Sequence, residues 1–334
     1  MSSGADGARL TAAIVGCSGS VLSEAERRFF ARVQPVGFIL FSRNVLDPGQ
    51  LRRLVASLRE SVGRADAPVM IDQEGGRVQR LGPPRWRKLP AAAEAGAAGQ
   101  RAAWLLGRLI AADLAPLGID VACAPVLDVP VEGANDVIGD RAFAREPGAV
   151  AALGRACAEG LAAGGVAPVI KHIPGHGRAM SDTHHALPRV AVSEAELQRH
   201  DFAPFRALNE LPWAMTAHVV YEAIDAACAT VSRTVIERVI RGEIGFDGVL
   251  VTDDLSMNAL AGTLAERAAA SRHAGCDVVL HCNGKLDEMT VVAEATGRLG
   301  EAGARRLIRA LTARRPPEPF DADAGAGTLR ELLG

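Results

Sequence analysis

Residues able to do chemistry stand where apolar runs of this chain end. Asp72, Asp128, Lys171 with His172, His218, Asp253 with Asp254, and His281 each close a short β-branched or small apolar stretch. The richest segment, KHIPGHGRAMSDTHHALP at 171–188, holds four of the eight histidines. Gly175 and Gly177 around His176 argue against a helix and predict a shaped loop. Within it Asp182 and His184 lie two apart, and in extended backbone such residues point the same way. A carboxylate could then hold one ring nitrogen and leave the other free for proton transfer. The same segment is also compatible with solvated loop histidines, or with a metal site drawn from His172, His176, His184 and His185, although it contains no H-E-x-x-H pair.

Two further segments carry carboxylates. GVLVTDDLSMNAL at 248–260 ends an apolar run in Asp253 and Asp254 before a helical stretch. One of the pair could cap that helix, leaving the other as a fixed carboxylate able to attack a sugar's anomeric carbon, and spacing does not choose between them. VMIDQEGGRVQRL at 69–81 places Asp72 at a run's end, with Arg80 eight residues on. Asp72 could accept two sugar hydroxyls with Arg80 donating nearby, or the two could form an ordinary ion pair across a turn. Neither a phosphate-binding G-x-x-x-x-G-K-[ST] loop nor a dinucleotide-binding G-x-G-x-x-G loop is present.

These residues need a scaffold that brings distant ends together. Eight β-branched runs, at 11–17, 36–41, 68–73, 120–129, 166–173, 213–220, 248–255 and 277–282, alternate with Ala-, Leu-, Arg- and Glu-rich segments of helical spacing. That alternation predicts an α/β fold, a single (β/α)8 TIM-type barrel over residues 1–312, followed by a tail at 313–334 that crosses the surface or is flexible, with no second domain. On a parallel barrel all strand ends meet at one rim. Residues 74–92 and 173–192, both longer than ordinary connections, follow the third and fifth runs there.

Composition narrows the function. With 49% apolar and 23% charged residues the 334-residue chain can bury a large core. A net charge of −2 gives no electrostatic reason to bind nucleic acid or an anionic membrane. Six scattered cysteines without a C-x-x-C pair favour a reducing cytosol over a disulfide or zinc framework. No signal-like start or membrane-length apolar run is found, so the chain reads as unexported.

Four motifs in register, IDQEGGRVQR at 71–80, IGDRAF at 138–143, KHIPGHG…SDTHH at 171–185 and VTDDLSM at 251–257, resemble the family 3 glycoside hydrolases, specifically the cytoplasmic bacterial β-N-acetylhexosaminidases of cell-wall recycling. The resemblance spans roughly residues 12 to 285. It implies Asp253 as nucleophile with Asp254 in support, His184 as acid/base oriented by Asp182, and Asp72, Arg80, Arg141, Lys171 and His172 as sugar-binding residues. It implies action on a GlcNAc-containing muropeptide; a monomer that needs no cofactor or metal is expected. Ile173 departs from the aromatic residue common in the K-H-x-P-G-H-G segment and is expected to alter packing alone. A histidine in place of the usual carboxylate acid/base would not repel an anionic acceptor, so a phosphorylase is the alternative, followed by a metal-dependent hydrolase or a non-catalytic sugar-binding barrel.

Overall fold

The computed structural model describes residues 9–179 and 187–334. Eight strands, β1 (Thr11–Val15), β2 (Pro35–Leu40), β3 (Val69–Ile71), β4 (Val121–Ala122), β5 (Ala167–Ile173), β6 (Trp213–Thr216), β7 (Val249–Asp254) and β8 (Val278–His281), close into one barrel. Each is parallel to its neighbours in chain order, and β8 returns to β1 with Val15 opposite His281. All eight apolar runs predicted from the sequence supply a barrel strand.

Alternation explains why those runs are apolar throughout. Ala12 and Ile14 of β1 share one buried cluster with Met70, Val169, Met215, Val251 and Leu280 from strands around the ring, so they fill the barrel interior. Ala13 and Val15, pointing the opposite way, pack with Phe38, Leu40, Val69 and Ile71 in the layer beneath the helices. A strand covered on both faces cannot keep a polar side.

Local signals set where the helices begin. Ser23 and Glu26 form a capping box at the helix Glu24–Val33, and Thr263 with Glu266 does the same at Leu264–Ala274. Helices Gln100–Leu114 and Pro147–Ala163 meet through glycine: a Cβ on Gly107 would lie 2.1 Å from the Cys157 carbonyl oxygen, and one on Gly160 2.1 Å from that of Trp104. Any side chain there would force the two backbones apart.

The tail is more ordered than its composition suggested. The Glu318 N–H donates to Ala163, Arg108 donates to the Glu318 carbonyl at 2.6 Å, and the Arg108 guanidinium sits 4.3 Å from the Phe320 ring centroid. Asp321 then caps a helix, Ala322–Leu333, that buries Leu329 against Gln100–Leu114. Among the described residues no helix is long and apolar enough to cross a membrane.

Candidate active site

The carboxyl-terminal rim of the barrel surrounds a cavity of about 420 Å³. Asp72 enters it directly after β3, where the chain turns into a two-stranded hairpin, Gln73–Gly75 with Val78–Gln79. Gly75 has φ 95°, and a Cβ on it would meet the Pro90 carbonyl oxygen at 2.2 Å, so the turn needs glycine. The buried Gln73 side chain accepts from the Arg80 and Leu81 N–H groups at 2.9 and 3.0 Å. This folds Arg80 back so that it donates to Asp72 Oδ2 at 3.1 Å. The Arg80 guanidinium also lies 5.3 Å from the centroid of Phe41, which lines the same cavity.

The last turn of β5 brings Lys171 and His172 to the rim. The Lys171 ammonium contacts Asp72 Oδ1 at 3.1 Å and Glu74 Oε1 at 2.6 Å. Arg141, from the short turn Gly139–Arg141, grips Glu74 through Nε at 2.8 Å and Nη2 at 2.9 Å. The result is one alternating chain of charge, Arg80, Asp72, Lys171, Glu74, Arg141. Burial alone would raise the Asp72 and Glu74 carboxyls, but the adjoining cations hold both below the usual carboxylate range. Burial would likewise strip Lys171 of its proton, yet Glu74 and Asp72 keep its pKa above the ordinary lysine value. Glu74 went unremarked in the sequence because nothing in Q-E-G-G distinguishes a junction from a solvated turn residue.

Asp128, wholly buried beyond β4, organises the histidine segment. Its Oδ2 lies 2.7 Å from His172 Nδ1, and its Oδ1 accepts the N–H groups of His172 at 3.1 Å and His176 at 2.7 Å. Facing an ionised carboxylate, Nδ1 carries the ring hydrogen, which leaves Nε2 of His172 for the cavity. His176 also lines the cavity; burial and the neighbouring His172 push its pKa down to about 4. As the glycines predicted, the backbone here is special: Gly175 has φ 141°, and a Cβ on Gly177 would overlap the Val129 carbonyl oxygen at 2.0 Å. Ile173 is fully buried among apolar neighbours.

The two aspartates of β7 have different surroundings. Asp254 accepts from the Ser256 N–H, the Ser256 hydroxyl and the Cys282 N–H at 3.1, 2.5 and 3.2 Å, so it ties the end of β7 to the chain leaving β8. It does not cap the following helix, a role taken by Thr263. Among the described residues Asp253 has one hydrogen-bond donor, the Asp254 N–H at 2.8 Å, and its carboxylate lines the cavity. Burial would raise the Asp253 carboxyl, but His172, His218 and that N–H hold it below the usual range.

Not every strand-end residue reaches the site. His218 is buried beneath the rim, with Nδ1 2.7 Å from the Thr230 hydroxyl and Nε2 donating to the Asp254 carbonyl at 3.1 Å. His281 is wholly buried, 3.3 Å from Glu288, and lines no part of the cavity. Of the proposed metal set, His172 and His176 have ring centroids 5.6 Å apart; His184 and His185 lie outside the described residues, as does Asp182. The structure therefore brings together Asp72, Arg80, Arg141, Lys171, His172 and Asp253 around one cavity and adds Glu74, while Asp128 sits behind it, holding His172.

The sequence profile of the glycosyl hydrolase family 3 N-terminal domain matches residues 13–309. A β-hexosaminidase of Methylococcus capsulatus is 41% identical over 303 residues, covering 89% of this chain and 90% of its own. Native NagZ from Neisseria gonorrhoeae superposes with a TM-score of 0.83 at 33% identity, over 97% of this chain and 96% of that one. The same enzyme in complex with N-trifluoroacetyl-D-glucosamine gives a TM-score of 0.82 at 32% identity, over 98% and 99% of the two chains. Buried carboxylates and charged hydrogen-bond donors share one cavity on the barrel rim. The chain belongs to glycoside hydrolase family 3.

Proposed function

We propose that this chain is a retaining exo-β-N-acetylglucosaminidase. It removes terminal non-reducing β-linked GlcNAc, with GlcNAc-1,6-anhydro-MurNAc muropeptides of cell-wall recycling as substrates, and works in the cytoplasm as a monomer without metal or cofactor. The observation that carries this reading is the Asp253 carboxylate, held ionised with one hydrogen-bond donor among the described residues, in the same cavity as Asp72, Arg80, Lys171 and His172. That the Neisseria relative takes up an N-acylated glucosamine supports an acetamido sugar here.

In the first step Asp253 attacks the anomeric carbon, the glycosidic C–O bond breaks, and the departing oxygen takes a proton from His184. Asp182 orients the His184 ring. In the second step neutral His184 removes a proton from water, whose oxygen attacks the same carbon and expels Asp253, so configuration is retained overall. Asp72 accepts hydrogen bonds from sugar hydroxyls, and Arg80, Arg141, Lys171 and His172 hold the ring against the nucleophile.

The test is 4-nitrophenol release from its N-acetyl-β-glucosaminide and from the plain β-glucoside, in phosphate-free buffer with a chelator. Strong preference for the acetamido sugar is expected; equal rates, or none, would overturn the assignment. Formation of sugar 1-phosphate in phosphate buffer would replace hydrolysis by phosphorolysis.

A further inference from the structure

Glu74 carries more of the site than its place in a hairpin suggests. It lies two residues beyond Asp72, yet its side chain is 5% exposed against 18% for Asp72, and it is shared by two cations, Lys171 from strand β5 and Arg141 from the turn Gly139–Arg141. Counting donors shows what this sharing does. A guanidinium has five N–H groups and an ammonium three. Arg141 gives Nε–H and one Nη2–H to Glu74, and one Nη1–H to the Val137 carbonyl at 3.1 Å. Lys171 gives one N–H to Asp72, and its ammonium pairs with Glu74 Oε1 at 2.6 Å. Among the described residues each cation keeps at least one N–H without a protein partner, and both residues line the cavity.

We infer that Glu74 is a positioning residue of the sugar site: by occupying the inner donors of Arg141 and Lys171 it aims their remaining N–H groups at the hydroxyls of the bound sugar. The carboxylate suits this task because its two oxygens accept from two cations in fixed directions, whereas an amide would turn an N–H toward one of them. It also keeps two buried positive charges together. The inference rests on the glycosidase reading only for the identity of the ligand.

The test measures N-acetylglucosamine binding by calorimetry, with kcat, KM and thermal unfolding on the nitrophenyl substrate, for wild type, Glu74→Gln and Glu74→Asp. Glu74→Gln is expected to weaken sugar binding and raise KM about ten- to a hundredfold while kcat changes far less. Glu74→Asp keeps the charge and is expected to recover part of the loss, which also guards against a Gln variant that does not fold. Unchanged sugar binding and KM in Glu74→Gln would overturn the inference. So would a lower kcat at unchanged KM, the pattern of fewer folded molecules. If wild type binds the sugar without turning over the glycoside and Glu74→Gln loses that binding, the glycosidase reading falls and the positioning role stands.

Discussion

Asp128 and His172 face one another at 2.7 Å, the carboxylate wholly inside the protein and the far ring nitrogen turned to the cavity. Asp128 also accepts two backbone N–H groups from the same segment, so one buried anion sets the ring's tautomer and the path of the chain that carries it. In Asp128→Asn the isosteric amide loses the charge and can present an N–H to Nδ1. kcat/KM is expected to fall about ten- to a hundredfold, the worth of a hydrogen bond to a charged group. Steady-state kinetics on the nitrophenyl glycoside checks it; wild-type values would mean that His172 does not act through Asp128.

Asp253→Ala and Asp254→Ala should fail in different ways. With Asp253 as the proposed nucleophile, turnover in Asp253→Ala is expected to drop by at least about a thousandfold with little change in unfolding temperature. Asp254→Ala removes the acceptor that joins β7 to β8 and is expected to cost about 1–3 kcal/mol, read as a lower midpoint in thermal unfolding. An active Asp253→Ala enzyme would exchange the two roles.

If His184 is the proposed proton donor, its loss should matter in proportion to how badly the leaving group needs a proton. His184→Ala is expected to lose activity least on activated aryl glycosides and most on disaccharides, with Asp182→Asn a milder version. The plot of log kcat/KM against leaving-group pKa should steepen in both variants; parallel lines for wild type and His184→Ala would remove His184 from the acid role.

His176 makes stability depend on pH. Its folded pKa of about 4 lies below the ordinary 6.5, so within that window the unfolded chain takes up a proton that the folded chain refuses. The contribution is whole above the unfolded value, falls as pH drops toward 4, and falls no further below it. Thermal unfolding between about pH 7 and pH 5 should therefore lose more midpoint in wild type than in His176→Asn. Equal losses would place the source of the slope elsewhere.

Much of this was legible in the chain itself. A barrel strand covered on both faces must be apolar at consecutive positions, and so all eight strands announced themselves, from Thr11 to His281. Because parallel strands end at one rim, the polar residues closing those runs already pointed to a common cleft, and the motifs singled out Asp72, Arg80, Lys171, His172 and Asp253, which the fold gathers there. The final helix is not legible in the sequence because its place is set by Leu329 docking on a distant helix, by Arg87 donating to its first residue, Ala322, and by Arg108 holding Glu318 in the segment that leads into it.

Spacing alone does not separate residues of the same type. Asp253 and Asp254 are chemically identical neighbours, which resemblance told apart and which the tertiary structure distinguishes physically, the Cys282 N–H after β8 tying Asp254 into the fold. Likewise His172, His218 and His281 all close apolar runs, yet one faces the cavity, one donates to the Asp254 carbonyl and one is buried under the rim. Glu74 matters because Lys171, 97 residues away, and Arg141, 67 residues away, both come to it. A charge's role depends on which groups share its desolvated surroundings, and those groups are assembled by the closing of the barrel, not by adjacency along the chain.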